Sequence, residues 1–401
     1  MKGNMMSTNN HMTHIEDLVV YGGIDGTRQS INALRTLRDT LTGINKNNVS
    51  VKWDGAPAIF AGIDPTDGQF FIAKKSIFNK NPKVYKTNED IDADTSGDLS
   101  VKLKCALKYL PQLGIKNIIQ GDLLYTQDDL KEERINNEDY LVFHPNTIAY
   151  GVPMGSTSAE TILQSKIGIA WHTTYHGDDF TSIKAEYGVD VSSFNQSDDV
   201  WSQDAMIRDI DVIVNIENIN SDLSEIGKLF RNIPSSIFNQ LKENQEFAKL
   251  LEQYHNTLIR DGKTIVDIDS HVDGFINWVS DKFQKEIDKR KTENGKDVQR
   301  QKLSDFLSFF NENTIDNMKS IFNLQKLIIS SKLNIINIFD KVNNIKTFVK
   351  TNDGYKATGA EGYVAIDTSN GSAVKIVNRL EFSYNNFSPN VIKGWDTPGR
   401  R

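Results

Sequence analysis

"VSVKWDGAPAIFAG", Val49 to Gly62, sets a single lysine, Lys52, between a β-prone run and the pair Asp54-Gly55. A lysine at the end of a strand is ordinarily a solvated edge residue. The same arrangement also suits a lysine whose amine becomes covalently bonded to a nucleotide. The rest of the chain decides between the two.

"PAIFAGI" and "QFFIAKK" follow as short β-prone runs, and "DPTDG" between them is a hairpin turn signal. On the N-terminal side, Ile31, Leu34, Leu37 and Leu41 recur at helical spacing. Beyond the hairpin, a helix carrying Leu103, Leu107 and Leu110 leads to the strand "NIIQGDLLY". "DYLVFHPNTIAYGVP" and "KIGIAWHTTY" read as two more strands separated by the helical "SAETILQSK". From about Gln196 the texture becomes a succession of amphipathic helices, with Phe238, Leu241, Phe247, Leu250 and Leu251 marking the period. β texture returns after residue 345, with "SNG" (Ser369–Gly371) as a further hairpin turn. The expected fold is α+β. Residues 1–195 and 346–385 form one domain of antiparallel sheets with flanking helices, 196–345 an inserted all-α domain, and 386–401 a C-terminal tail.

The 401 residues carry a net charge of −7, which is not the basic signature of a nucleic-acid coat. The charge is uneven. "KKSIFNKNPKVYK" (Lys74–Lys86) holds five lysines and no acid, and a second basic run spans Asp288–Lys302. The single cysteine, Cys105, excludes an internal disulfide and reads as an inert core thiol on a helix. No apolar run reaches the roughly 18 residues a membrane span needs. The N-terminal residues lack the apolar stretch of a signal peptide, so a cytoplasmic protein is expected.

Four short segments now fall in order: "KWDG" (Lys52–Gly55), "QGDLLY" (Gln120–Tyr125), "EGYVAID" (Glu361–Asp367) and "AVKIV" (Ala373–Val377). Together they resemble the nucleotidyl motifs of the covalent nucleotidyltransferase superfamily, which contains the ATP-dependent DNA and RNA ligases and the mRNA capping enzymes. The wider patterns "KWDGAPAIFAGIDP" and "FHPNTI…YGVP" are similar to ligase-like proteins of large tailed phages. The resemblance covers about half the chain and implies a ligase-type, ATP-grasp-like adenylation domain. It implies ATP with Mg²⁺ or Mn²⁺ as cofactors, and a 5′-phosphate nucleic-acid end as partner.

The resemblance also implies roles. Lys52 takes AMP and Asp54 orients the site beside it. Asp122 holds the ribose, where the family more often has Glu. Glu361 positions the metal, and Lys375 contacts the α-phosphate. Val51, Gly55, Lys75 and Ser76 line the nucleotide, and Trp171 rather than Phe143 stacks on the base. An ordinary lysine ammonium, with a pKa near 10.4, cannot attack phosphorus, so the site is expected to favour the neutral amine. His172 and His176 are four apart, but their flanks read as strand and no third ligand is evident for zinc.

Some family features are missing. Pro57 stands where many relatives have Arg, and Val377 where many ligases have a second lysine. Only 24 residues follow Val377, too few for a five-stranded OB-fold. That favours an RNA-ligase-like enzyme over a capping enzyme. A nucleotidyltransferase acting on a protein or small molecule is the first alternative. A degenerate fold used for nucleic-acid binding or assembly is the second. The lysines of 74–86, and the run Lys289, Arg290, Lys291, Lys296, Arg300 and Lys302, are candidate contacts for substrate phosphates.

Overall fold

The structure, a computed structural model, describes residues 12–44, 48–207, 214–342, 345–367 and 372–394. The turn read at Ser369–Gly371 and most of the C-terminal tail lie outside the described residues. Three sheets organise the β part. The first has order β1 (Val49–Lys52), β13 (Gly362–Asp367), β14 (Ser372–Ile376), all antiparallel. The second runs β10 (Val200–Asp204), β8 (Ile167–His176), β4 (Ile118–Thr126), β2 (Ala58–Ile63), β3 (Phe70–Ala73), with β9 (Lys184–Tyr187) also on β8. The β8–β10 pair is parallel, and the other pairs of this sheet are antiparallel. The third runs β12 (Gly354–Ala357), β11 (Lys346–Thr351), β7 (Ile148–Pro153), β6 (Glu138–Phe143), β5 (Lys131–Ile135), with β15 (Val391–Ile392) on β11.

The helices α1 (Leu18–Tyr21) and α2 (Gly23–Leu41) precede β1. Helices α3 (Asn88–Asp94), α4 (Gly97–Tyr109) and α5 (Thr157–Gln164) pack around the second and third sheets. The helical block comprises α6 (Glu217–Asn232), α7 (Ser235–Glu243), α8 (Gln245–Arg260), α9 (Ile268–Lys289), α10 (Glu293–Ser308) and α11 (Glu312–Val342). A last helix, α12 (Arg379–Phe387), follows β14.

Alternation along the first sheet decides where its lysines point. Val49, Tyr363, Ala365, Val374 and Ile376 face the helices and join their core. Successive side chains of a strand point to opposite faces, so Ser50, Lys52, Val364 and Lys375 lie on the other face, toward the second sheet. The helical block is not a separate insertion. Ile31, Leu34 and Leu37 of α2, Val49 of β1, and Phe238, Leu251, Phe275, Phe322 and Ile335 of the block share one apolar core. The expected boundary at residue 196 also shifts, because Val200–Asp204 pairs with β8 and the block's helices begin at Glu217.

Two other readings change. "DYLVFHPNTIAYGVP" is not one strand but the hairpin β6–β7, with Tyr140 paired to Pro153 and Phe143 to Tyr150. Its break falls at "HPNT", where Pro145 cannot donate to a ladder. The apolar period running from Phe238 to Leu251 spans two helices, α7 and α8, which split at Asn244, whose side chain caps α8 by accepting from the Phe247 N–H at 3.0 Å.

Candidate active site

The antiparallel register of β1 on β13 places Lys52 opposite Gly362, beside the turn that carries Glu361. Lys52 and Glu361 form an ion pair, with Glu361 almost entirely shielded from solvent. Gly362 has φ +149°, a conformation open to glycine, and a Cβ there would lie 2.7 Å from the Ile376 carbonyl oxygen. The "EG" pair is therefore a local requirement: glycine lets the turn close so that Glu361 meets the strand end opposite.

Asp122, on β4, faces this ion pair from the second sheet. Gly55 brings it there, since a Cβ at residue 55 would lie 2.6 Å from Asp122 Cβ and 2.7 Å from the Leu123 carbonyl. The glycine serves close approach of the Lys52 loop to β4, at a backbone conformation any residue can adopt. Asp54 is a strut. Its carboxylate accepts from Asn146 Nδ2, Thr147 N–H and Ile148 N–H, each at 2.8 Å, and its own N–H donates to the Tyr150 hydroxyl. It ties the loop after β1 to the start of β7. Lys375 lies on the site face one strand beyond β13, and its backbone is bridged to Thr13 and Ile15.

Electrostatics bind these groups together. Burial pushes the Asp122 carboxyl up to about 7, with Asp54 adding to the rise while Lys52 and Lys75 oppose it. Burial likewise pushes Glu361 up to about 7 against the pull of Lys52. Lys375 is lowered by burial and by the Lys52 charge. Lys52 departs from expectation: burial works to lower it, but Glu361, Asp122 and Asp54 prevail and hold it above the ordinary lysine value. Three acids converge on one amine, so this state of the site stores the ammonium.

The remaining sequence-derived residues divide. Val51 packs its side chain against two apolar clusters and donates its N–H to the Ala205 carbonyl, so it is wall rather than ligand. Lys75 is exposed and acts on Asp122 through its charge, while Ser76 Oγ is buried beside Tyr85 without a well-formed hydrogen bond. Trp171 does not face the site. It is fully buried on the opposite side of β8, packed with Ile59, Leu103 and Leu123, and its Nε1 donates to Ser202 Oγ at 3.0 Å. Phe143 is equally buried, against Tyr125 and Tyr150.

The face that Asp122 shares carries other groups. His172 follows Ala170, the partner of Asp122, on the same face of β8, with Nε2–Oδ2 3.8 Å; a bulge between Trp171 opposite Gly121 and Thr173 opposite Gln120 brings Thr173 and Tyr175 to that face as well. Burial and the Lys52 charge lower His172 to about 4, so it is neutral. Gln120 accepts from the Tyr175 hydroxyl at 2.7 Å, and Phe60, Phe78 and Tyr175 form an aromatic trio beside it. Gln120 was legible from its spacing to Asp122. Tyr175 depends on the bulge, and His172 and Phe78 on which elements meet the second sheet. His176 lies further along β8, exposed and paired with Glu186 at 2.9 Å. A groove of about 440 Å³ lined by Ile119, Thr174, Phe194 and Met206 opens on the opposite face of this sheet; it includes His176 and Glu186 but none of Lys52, Asp54, Asp122, Glu361 or Lys375.

The basic runs are largely neutralised. Lys74 and Lys83 pair with Asp94, and Lys86 with Asp64 and Asp67. Only Lys75 and Lys80 of that run lack an acidic partner among the described residues. Lys289 and Arg290 pair with Glu286, Lys296 with Glu293, Arg300 with Asp297 and Lys302 with Glu246. Cys105, read as a core thiol, is half-buried on α4 against the edge of the core; its thiol meets the Lys166 carbonyl at 3.6 Å, and burial pushes it up to about 11.

With this geometry in view, the comparison with known proteins gives one positive result. The chain belongs to DUF6267, a family of unknown function. The family match runs over residues 9–391, so it takes in Lys52, Asp122, Glu361, Lys375 and the whole helical block as one unit. No curated protein and no solved structure matches the chain. No described helix is long and apolar enough to cross a membrane.

Proposed function

We propose that this member of DUF6267 is a covalent nucleotidyltransferase of the polynucleotide-ligase type. Lys52 takes AMP from ATP and passes it to a 5′-phosphate end, of RNA rather than DNA; a 3′-hydroxyl then attacks that phosphate, forms the phosphodiester and releases AMP. One observation carries the reading. Four segments spread over more than 300 residues of sequence put Lys52, Asp122, Glu361 and Lys375 around a single amine. Bond formation joins Lys52 Nζ to the α-phosphorus and breaks the bond to pyrophosphate, and the amine must lose a proton first.

The chain's residues suit that task in a definite order. Glu361 and Asp122, each raised to about 7, are poised to change charge near neutrality, and Lys375 offers a cation where phosphate charge builds. Among the described residues no three or more His, Cys, Asp or Glu side chains are grouped to hold a metal on protein ligands alone. Glu361, with Asp122 beside it, fits a divalent cation carried by substrate phosphates, since Mg²⁺ commonly takes one or two carboxylates plus phosphate oxygens. Such a cation supplies charge neutralisation when bound. A base entering beside Asp122 meets His172, Phe78 and Tyr175 in place of Trp171.

The test is covalent labelling with α-labelled ATP or GTP and Mg²⁺. ATP should yield a labelled protein band. Lys52→Ala should abolish it, and so should Lys52→Arg, whose guanidinium stays protonated. Acid-labile label that persists on either variant would remove Lys52 from the chemistry. A second reading, AMP transfer to a protein or small molecule, gains support from the ion pairs that neutralise both basic runs. Pre-adenylylated RNA separates the two. The ligase joins it to a 3′-hydroxyl without ATP, and joining weakens steeply with salt; self-labelling with no transfer to any 5′-phosphate end favours the second reading.

A further inference from the structure

The turn carrying Glu361 reads Thr358-Gly359-Ala360-Glu361-Gly362, and two carboxylates hold it from outside. Glu381, in the first turn of α12, accepts from the Gly359 N–H at 2.8 Å and from Thr358 Oγ1 at 2.7 Å. Its other oxygen accepts from Asn378 Nδ2 at 3.0 Å. Asp340, near the end of α11, accepts from the Tyr363 hydroxyl at 2.7 Å and from the Ala360 N–H at 3.4 Å. Asn385 of α12 adds a donor to Thr358 Oγ1 at 2.8 Å. Behind the turn, only about 10 Å³ remains between Asp54, Glu361 and α12.

Two features show that these acids serve the turn rather than their own helices. Glu381 occupies the third position of α12, where a glutamate commonly reaches back to the backbone N–H of the cap residue. Its oxygens go instead to residues 358 and 359, and to the cap's side chain. Gly359 has no side chain where one would block both acids: a Cβ would lie 2.6 Å from Asp340 Oδ2 and 3.2 Å from Glu381 Oε2. Charged acceptors on backbone N–H groups are the stronger kind of hydrogen bond, so the pair fixes the turn. Neither acid is among the groups that shift Lys52.

We infer that Asp340 and Glu381 are positioning residues that hold Glu361 against Lys52, so that the helical block reaches the reacting amine through the last turns of α11. The inference rests on the reading of Lys52 as the group that takes the nucleotide. A clamp of this kind accounts for the block's place in the chain: α11 ends at Val342, and β11, β12 and the Glu361 turn follow directly.

The experiment uses the full chain with Asp340→Ala, Glu381→Ala and the conservative Asp340→Asn and Glu381→Gln, which keep a carbonyl acceptor. Hydrogen exchange of the peptide over 358–364 should speed up about 10-fold or more in the alanine variants and much less in the amides. Single-turnover labelling of Lys52 should slow by about 10- to 100-fold in the alanine variants, as expected for a reacting group displaced by about 1 Å. The ATP concentration for half-maximal rate should move less than about threefold, because substrate binding is kept while the chemical step is lost. Amide variants that recover most of the rate support acceptance of the hydrogen bonds as the operative role. Unchanged exchange in both alanine variants overturns the clamp. Faster exchange with undiminished labelling overturns its positioning role. A parent protein that never takes label, in which both alanine variants release the turn, upholds the clamp and overturns the lysyl-nucleotide reading beneath it.

Discussion

Lys52 lies among three acids, and that ring shapes how single residues should respond to change. In the folded protein Asp122 is raised from 3.8 to about 7, so the native state binds a proton that the unfolded chain has released across this interval. Stability contributed by such a group is present at low pH and lost as pH rises through about 7. Asp122→Asn should therefore stabilise the protein at pH 8 by roughly 1–4 kcal/mol and leave it nearly unchanged at pH 4. Urea titrations at the two pH values check this, and an equal effect at both would oppose it. Gly362→Ala should cost about 1–3 kcal/mol in the same assay, since its φ of +149° and the Ile376 carbonyl at 2.7 Å leave no room for a Cβ. That Lys52, Asp122, Glu361 and Lys375 belong to one candidate site was legible because each sits in a short motif, and the fold brings them together. The raised state of Lys52 was not, because it depends on which acids the sheets bring beside it.

Between elements, a buried charge cluster fastens the N-terminal segment to the helices. Lys332 of α11 donates to both oxygens of Glu16 at 2.9 and 2.8 Å. Arg379 at the start of α12 donates to Glu16 at 3.3 Å and to Asp17 at 3.1 Å, and also to Asn256 of α8. The strand carrying Lys375 is bridged to Thr13 and Ile15, just before these acids. Removing one partner leaves an uncompensated buried charge, so Lys332→Ala should lower the unfolding free energy by about 3 kcal/mol or more. An unchanged urea midpoint would show that the remaining Arg379 contacts suffice. The basic surface of α9 and α10 gives the opposite expectation. Lys289→Glu, Arg290→Glu and Lys291→Glu together should leave Lys52 labelling unaltered, because none of the three is among the groups that shift the amine, and Lys289 and Arg290 already pair with Glu286. α12 itself went unread in sequence. Its nine residues have a weak apolar period, and its N-cap Asn378 sits inside a segment that reads as the end of a strand.

At the scale of the molecule, α2, the helical block and the first sheet bury one common core. Unfolding the block alone would expose Val49, Tyr363 and Ile376 and break the contacts of Asp340 with the Glu361 turn. Calorimetry should show one cooperative transition, with Lys332→Ala shifting all of it. Two separable transitions, one of them unmoved by the substitution, would restore the picture of an independent insertion.

The α+β character, the helix and strand texture on either side of residue 200, and the four segments that meet at Lys52 were all readable from the order of residues. Those depend on local patterns: alternation, helical period, and glycines placed where a turn must close. Tertiary structure alone decided which face of β8 meets the candidate site: Trp171 shares the core face of Ile167 and Ile169, His172 faces Asp122, and the bulge after Trp171 brings Tyr175 to that same face. It also decided that the lysines of 74–86 largely meet acids rather than lie open, since Asp64, Asp67 and Asp94 reach them across folded chain. The fusion of the helical block with the first sheet has the same origin. A periodic apolar face shows that a helix must bury itself, but its partner is chosen only when all the faces compete for one core.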